Sequence, residues 1–170
     1  NLQTIQTINK LEFDERYVRL GTGEISPELF PEAMMKDVLH ALPKRIPSLN
    51  YLGPLGLPEL QQSLCKRLKK RGIDVKPSNI LITSGSLQAL QLISVCMMKP
   101  GATVFTEAPS YLKSLQVFPS AGMEFSGVPM DQSGIMYWKI EKILNGSLLY
   151  TIPTHHNPTG TIMTQERRKE

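Results

Sequence analysis

The stretch NILITSGSLQALQLISVCMM, from Asn79 to Met98, decides how this chain folds. It contains no Asp, Glu, Lys or Arg, and its twenty residues are enough in number to cross a bilayer. Polar side chains and a Ser-Gly-Ser turn interrupt it, however, and they disfavour a membrane span. The apolar residues before the turn favour a buried strand, and those after it favour a buried helix. The stretch therefore predicts strand, tight turn and helix.

The same alternation of strands and helices continues along the chain. Proline, glycine and apolar spacing predict strands at 80–83, 103–106, 123–128 and 148–152, and helices at 31–41, 58–71, 86–99, 111–118 and 137–144. Thr164 is expected to cap one more helix. The residues before Gly21 show only a weak pattern. Strands that alternate with helices predict an α/β fold, with a mainly parallel sheet flanked by helices.

Composition excludes several classes of protein. The 170 residues are 41% hydrophobic and 20% charged, which excludes a disordered or fibrous chain. The formal net charge of +4 permits a nucleic-acid partner without arguing for one. The basic run at 66–71 is read as a solvated helix end, with contact to nucleic acid as the alternative.

Cysteine and histidine usage predicts neither disulfides nor a metal site. Cys65 and Cys96 are too few for a disulfide framework, and no Cys/His spacing suggests zinc. His155 and His156 are neighbours on a segment expected to be extended, so their side chains should point in opposite directions. The first ten residues lack the apolar core of a signal peptide. We therefore expect a protein of the reducing cytoplasm.

The first of three loops that follow predicted strands contains Gly85, Ser86 and Leu87. In open α/β sheets, ligands bind beyond the carboxyl ends of strands, where loops meet helix N-termini. Here a helix starts directly after Gly85, so the first backbone N–H groups should point outward and suit an anion such as phosphate. An ordinary turn with a helix cap is the alternative.

The second and third loops present an aromatic ring and an amide. Pro109 stiffens the loop that carries Tyr111, whose ring could stack on a flat heterocycle; a core tyrosine is the alternative. Two prolines and a glycine stiffen the loop around Asn157, whose amide could bind a ligand oxygen; a simple turn is the alternative.

Five motifs in order resemble one family. They are Tyr51 with Gly53 and Gly56, Thr83-Ser84-Gly85-Ser86, Glu107-x-Pro109-x-Tyr111, Val128-Pro129-x-Asp131-x-x-Gly134, and Asn157-Pro158-Thr159-Gly160. Their order resembles the pyridoxal-phosphate-dependent class I/II aminotransferases of fold type I. The resemblance is nearest to the branch that holds 2-aminoadipate-type aminotransferases and the aminotransferase-like domains of GntR/MocR-type transcription regulators. It covers roughly residues 21–170.

The resemblance implies how the cofactor, pyridoxal 5'-phosphate, would be bound. Gly85, Ser86 and Leu87 would hold its phosphate through N–H and hydroxyl donors. Leu87 stands where a polar residue often occurs in the family, which removes a side-chain contact and leaves the N–H. Tyr111 would stack on the pyridine ring, and Asn157 would hydrogen-bond its phenolic oxygen.

The resemblance also implies a homodimer with shared active sites. Tyr51 would reach the phosphate of the neighbouring subunit, and Gly23 would contact the carboxylate of an amino-acid-like small molecule. Residues 1–45 would form an N-terminal arm or small-domain segment. Residues 46–170 would form the first half of the pyridoxal-phosphate-binding large domain, so the fold type I domain is expected to be incomplete.

Catalysis would need residues that the family places after the Asn-Pro-Thr-Gly loop. These are the lysine of the internal aldimine, an acidic partner for the pyridine nitrogen and an arginine for the substrate carboxylate. Lys169 follows Arg167 and Arg168 at a helix start, which isn't the setting of an aldimine lysine. We therefore expect no catalytic residue within 1–170, no transamination by this chain alone, and weak or absent cofactor binding by it.

Three origins of the segment remain open. The start at Asn1 and the polar, linker-like residues 1–9 favour the effector-sensing domain of a GntR/MocR-type regulator, which would bind DNA only through another domain. The second is the N-terminal half of a free-standing amino-acid aminotransferase of the 2-aminoadipate type. The third is a generic anion-binding α/β domain.

A sheet cut short would leave apolar faces uncovered, so we expect the isolated chain to associate. No membrane partner is expected.

Overall fold

The computed structural model describes residues 2–18, 23–46, 49–140, 143 and 146–170. The chain divides into two units, Asn1–Tyr51 and Leu52–Glu170. The assignment of residues 1–45 to an arm or small-domain segment, and of 46–170 to a cofactor-binding domain, stays a prediction.

The described residues of the first unit include two α-helices, α1 at Leu2–Glu12 and α2 at Glu32–Ala41. Helix α2 begins directly after Pro31, as predicted, and an ion pair of 2.6 Å joins Lys36 to Glu32 one turn away. Helix α1 was not expected, because residues 1–9 look like a polar linker. Gly21 and Thr22, where the resemblance begins, lie outside the described residues.

A four-stranded sheet organises the second unit. Its strands are β1 at Thr103–Ala108, β2 at Glu124–Asp131, β3 at Gly134–Ile135 and β4 at Leu148–Tyr150, in the order β3-β2-β1-β4. Strand β1 pairs in parallel with both β2 and β4. The short strand β3 pairs antiparallel with β2. The sheet is therefore mainly parallel, as predicted, with an additional antiparallel edge strand.

In the described part of the second unit, four α-helices accompany this sheet. They are α3 at Pro58–Lys69, α4 at Ser86–Met97, α5 at Ser114–Ser120 and α6 at Gln165–Lys169. Thr164 caps α6, since its Oγ1 accepts a hydrogen bond from the Arg167 N–H at 3.3 Å. Within the described part of the chain, none of the helices has the length and hydropathy that crossing a bilayer requires.

The helix predicted over 137–144 is wrong in its described part. Only a single 3₁₀ turn forms, at Tyr137–Lys139, and Ile140 already has an extended backbone. Residues 141, 142, 144 and 145 lie outside the described residues. The apolar spacing that suggested a helix instead reflects packing: Ile140 contacts the buried cluster around Phe105.

The strand predicted at 80–83 is also wrong, because among the described residues no strand pairs with it. The Ile82 N–H donates to the Leu55 carbonyl at 3.0 Å, and the Gln61 amide donates to the Ile80 carbonyl at 2.7 Å. Gly56 has a φ of 106°, and a Cβ there would lie 2.5 Å from Ile82 Cγ1. Glycine is therefore required where the two segments meet.

Two apolar clusters lie on opposite faces of β1. Val104 packs with Phe118 and Met123, whereas Phe105 packs with other buried residues, namely Val128, Ile135 and Met163. This alternation is what a strand buried on both faces produces. Glu107 follows Phe105 by two residues and is therefore directed to the same buried face.

Candidate functional site

Two loops leave the sheet side by side at one edge. Strands β1 and β4 are parallel neighbours with Thr106 opposite Tyr150, so the segments after them start at the same carboxyl-terminal edge. Glu107, at the end of β1, joins them directly, since its Oε1 accepts hydrogen bonds from Thr151 Oγ1 and from the Ile152 N–H at 2.8 Å. Ligands in open α/β sheets bind at this edge.

The loop after β1 carries Tyr111 in a fixed setting. The Ser114 hydroxyl donates to the Tyr111 carbonyl at 2.7 Å, and the Leu115 N–H donates to the same carbonyl at 3.2 Å. The Thr106 hydroxyl, at the end of the strand, donates to Ser110 Oγ at 3.0 Å. These hydrogen bonds to its carbonyl anchor the Tyr111 backbone, and the residue as a whole is half-buried.

The loop after β4 is closed on itself and presents Asn157. The Met163 N–H donates to the Pro153 carbonyl at 2.9 Å, and the Gly160 N–H donates to the His156 carbonyl at 2.6 Å. Asn157 is exposed at the tip, and among the described residues none forms a hydrogen bond with its side-chain amide. A rigid loop thus presents a free donor and a free acceptor.

Helix α6 anchors this loop through Arg168. Its Nη2 donates to the Pro153 carbonyl at 2.6 Å and to Thr154 Oγ1 at 2.9 Å, and its Nε donates to the Met163 carbonyl at 3.0 Å. The planar guanidinium offers several donors in fixed directions, which suits it to hold two strands of a loop together.

The neighbouring Arg167 fixes α6 to the end of β2. Its Nη2 donates to Asp131 Oδ2 at 2.9 Å, and its guanidinium lies 4.4 Å from the centre of the Trp138 ring. The hydrogen bond from Arg167 holds the pKa of the Asp131 carboxyl below its usual range. The ion pair between Asp131 and Arg167 therefore joins α6 to the end of β2.

The first of the three predicted loops forms the N-terminus of α4. Gly85 has a φ of 87° and open space on its Cβ side, and Ser86 and Leu87 are exposed. The Ser84 N–H is satisfied by Gln88 Oε1 at 2.5 Å, and the Thr83 hydroxyl donates to the Gly85 carbonyl at 3.1 Å. The N–H groups of Ser86 and Leu87 have no acceptor among the described residues.

Free N–H groups at a helix N-terminus fit a phosphate group by both hydrogen bonding and the helix dipole. Gly85 leaves the approach open, because no heavy atom lies within 4 Å of where its Cβ would be. The residues present at this turn therefore fit the phosphate of the cofactor that the resemblance implies.

Two further predicted site residues belong to the first unit. The Tyr51 side chain is fully exposed, and, among the described residues other than its chain neighbours, no heavy atom lies within 4 Å of a Cβ built on Gly23. Their roles toward the cofactor of a neighbouring subunit and toward a substrate carboxylate stay predictions. The expectation that residues 1–170 contain no catalytic residue also stays a prediction.

Sequence reasoning missed a buried pair between the two loops. Glu107 and His156 are each only 2% exposed, and His156 Nε2 lies 3.9 Å from Glu107 Oε2. His155 is exposed whereas His156 is buried, so the two side chains point in different directions. The described residues contain no cluster of three or more His, Cys, Asp or Glu side chains that could hold a metal ion. The position of Glu107 two residues after the core residue Phe105 is the sequence signal that could have revealed its burial.

The chain is similar to both regulators and enzymes. It matches the family described as Aminotransferase class I and II over residues 15–170. The uncharacterized HTH-type transcriptional regulator YisV of Bacillus subtilis strain 168 is 46% identical over 173 residues, which cover 100% of this chain and 36% of that protein. The chain thus spans about a third of this relative.

Two solved structures show the same fold. An archaeal alanine:glyoxylate aminotransferase superposes with a TM-score of 0.83 at 36% identity, covering 97% of this chain and 44% of the enzyme. Pyrococcus horikoshii kynurenine aminotransferase, solved in complex with PMP, gives a TM-score of 0.82 at 32% identity, covering 98% of this chain and 44% of the enzyme. The fold is therefore part of a fold type I α/β domain, and the chain belongs to the class I and II aminotransferase family.

Proposed function

We propose that this chain is part of a pyridoxal-phosphate-binding domain through which a transcription regulator senses an amino-acid-like small molecule. The observation that carries the cofactor part is the pair of free N–H groups at Ser86 and Leu87. The regulatory part rests on the 46% identity to an HTH-type transcriptional regulator across the whole chain. We place this function in the cytoplasm.

The residues of the second unit would divide the work of holding the cofactor. The N–H groups of Ser86 and Leu87, with the Ser86 hydroxyl, would bind the phosphate. Tyr111 would stack on the ring, and the exposed Asn157 amide would hydrogen-bond the phenolic oxygen. When bound, pyridoxal phosphate supplies an electron sink for the amino group's neighbouring carbon. The free amide and the free N–H groups support these assignments.

Residues of the first unit would complete the site across a dimer. We propose that Tyr51 contacts the phosphate held by a second copy of the chain, and that Gly23 leaves room for the carboxylate of the small molecule. The complete exposure of Tyr51 supports a contact outside its own unit. DNA would be bound by a domain other than the one described here.

A free-standing aminotransferase is the second candidate. The observation in its favour is the TM-score of 0.83 to an archaeal alanine:glyoxylate aminotransferase at 36% identity. The two candidates share the cofactor site and differ in DNA binding. A mobility-shift assay with the full-length protein and the DNA upstream of its own gene separates them. Binding that changes when pyridoxal phosphate and amino acids are added supports the regulator, and turnover of an amino acid without DNA binding supports the enzyme.

The substitution Ser86→Asp tests the phosphate site directly. The dipole of α4 stabilises a carboxylate at the start of the helix, so the variant should fold as well as the parent protein. The same carboxylate would stand beside the bound phosphate, where two unit charges 4 Å apart repel by about 4 kcal/mol at an effective dielectric constant near 20. We expect pyridoxal phosphate affinity to fall by at least about 100-fold, from absorbance titrations of the full-length protein.

The matched control is Ser63→Asp, which adds the same charge on the exposed surface of α3. It should leave cofactor affinity unchanged. Equal affinities for the parent protein and Ser86→Asp would show that the phosphate binds elsewhere.

A further inference from the structure

Glu107 and His156 form a pair of buried polar side chains. Among the described residues, Glu107 Oε2 and His156 Nε2 have no hydrogen-bond partner, and they face each other at 3.9 Å. Both side chains are 1% exposed or less. Buried polar atoms without partners are costly, so two of them facing each other call for an explanation.

The remaining polar atoms of the pair already have hydrogen-bond partners. Oε1 of Glu107 already accepts from Thr151 Oγ1 and from the Ile152 N–H. Nδ1 of His156 lies 2.8 Å from Thr159 Oγ1, which in turn lies 2.9 Å from Thr161 Oγ1. The Thr159 hydroxyl can accept from Nδ1 or donate to it, so Nδ1 is satisfied in either tautomer of His156.

The opposite nitrogen decides whether the two unsatisfied atoms attract or repel each other. Without a proton, a lone pair on Nε2 would face a buried carboxylate oxygen, which is a repulsive arrangement. With a proton on Nε2, an N–H group faces that oxygen and can donate to it. A shift of about 1 Å would bring the two atoms within ordinary hydrogen-bond distance.

The pair also connects the two ligand-facing loops. Glu107 lies four residues before Tyr111 and binds the backbone at the end of β4. His156 precedes Asn157 directly, and Thr159 holds its ring from within the same loop. The separation between the Tyr111 loop and the Asn157 loop therefore depends on the contact between the two buried side chains.

We propose that Glu107 and His156 are positioning residues, whose shared proton on His156 Nε2 sets the spacing of the Tyr111 and Asn157 loops for the cofactor ring. The positioning of the two loops for the cofactor ring rests on the proposed function. The proton on His156 Nε2 does not depend on that function.

Nitrogen NMR of the full-length protein without cofactor tests the pair itself. With ¹⁵N-labelled histidine, and His156 assigned from the signal lost in His156→Gln, Nε2 of His156 should be protonated. In Glu107→Gln the new amide can donate to Nε2 while its oxygen still accepts from Ile152, so Nε2 should become unprotonated. An unprotonated Nε2 in the parent protein would overturn the proposal. Glu124→Gln, a neutralised exposed carboxyl on β2, should leave the His156 signals unchanged.

Visible circular dichroism of bound pyridoxal phosphate tests the positioning role. Glu107→Leu removes every hydrogen bond of the carboxyl, and we expect an altered visible band and about tenfold weaker affinity, the equivalent of one hydrogen bond. Glu107→Gln should restore both, because it keeps a bond to each loop. His156→Gln provides a second variant if Glu107→Leu does not fold.

The outcomes separate the two proposals. A folded Glu107→Leu variant with the parent's visible band and affinity would overturn the positioning role. Failure of the parent protein to bind pyridoxal phosphate would refute the proposed function, while the NMR result would still decide the state of the pair.

Discussion

Replacing Phe118 with alanine should destabilise the second unit more than any exposed change. Phe118 lies in α5 with 0% of its surface exposed, packed against Val104 and Met123. Its ring makes edge contacts with Phe125 and Tyr150, at centroid distances of 5.8 and 5.6 Å. This residue therefore holds α5 against the sheet, directly after the Tyr111 loop.

The expected loss follows from the buried area and the cavity. A fully buried phenylalanine removes about 150–250 Å² from water, which at about 25 cal/mol per Å² corresponds to roughly 4–6 kcal/mol. Alanine keeps part of this burial, and partial collapse of the cavity recovers more. Phe118→Ala should therefore lower the free energy of unfolding by about 3–5 kcal/mol, the range measured for such substitutions.

Urea unfolding of the full-length protein, followed by far-ultraviolet circular dichroism, measures this loss as a lower midpoint with an unchanged slope. The matched control is Phe13→Ala in the first unit, where the side chain is 76% exposed. It should change the free energy of unfolding by less than about 0.5 kcal/mol. A loss below about 1 kcal/mol for Phe118→Ala would refute the packing of α5 described above, given the usual cost of such a change.

Two further predictions concern backbone geometry and pH. Gly56→Ala should lower the thermal midpoint of unfolding, because the new Cβ would lie 2.5 Å from Ile82 and the backbone φ is 106°. The control Gly53→Ala places its Cβ in open space and should lower the midpoint much less. Equal midpoints for the two variants would contradict this prediction. Since Arg167 lowers the folded-state pKa of Asp131, the ion pair stabilises the fold above the usual aspartate range and is lost as pH falls through the lowered pKa. Thermal melts should therefore lose more stability on acidification in the parent protein than in Asp131→Asn, and parallel curves would show that the pair contributes nothing.

Much of the fold could be predicted from apolar spacing and turn residues. Strands β1, β2 and β4 and helices α2 to α5 begin and end within three residues of the predicted bounds, and the largest shift at a start is that of α5, which begins at Ser114 instead of residue 111. The spacing predicted these helices although α2 itself buries none of its residues. Helix α1 was missed because its segment is polar and lacks start and stop signals. The segment 80–83 has the composition of a strand, but a strand also needs a partner, and composition does not supply one.

The candidate site was predicted less completely than the fold. The exposed positions of Ser86 and Asn157 follow from local turn chemistry, which sequence shows directly. The contact between Glu107 and His156 joins residues far apart in the chain, and it depends on β1 and β4 being neighbours. Sequence alone predicted both strands without their order in the sheet, so this contact could not be anticipated.

A crystal structure of the full-length protein grown with pyridoxal phosphate would test the proposed cofactor site most directly. We predict that the phosphate lies within hydrogen-bond distance of the Ser86 and Leu87 N–H groups, that the ring lies against Tyr111, and that the Asn157 amide contacts the phenolic oxygen. A cofactor bound away from the start of α4, or none bound at saturating concentration, would contradict this prediction.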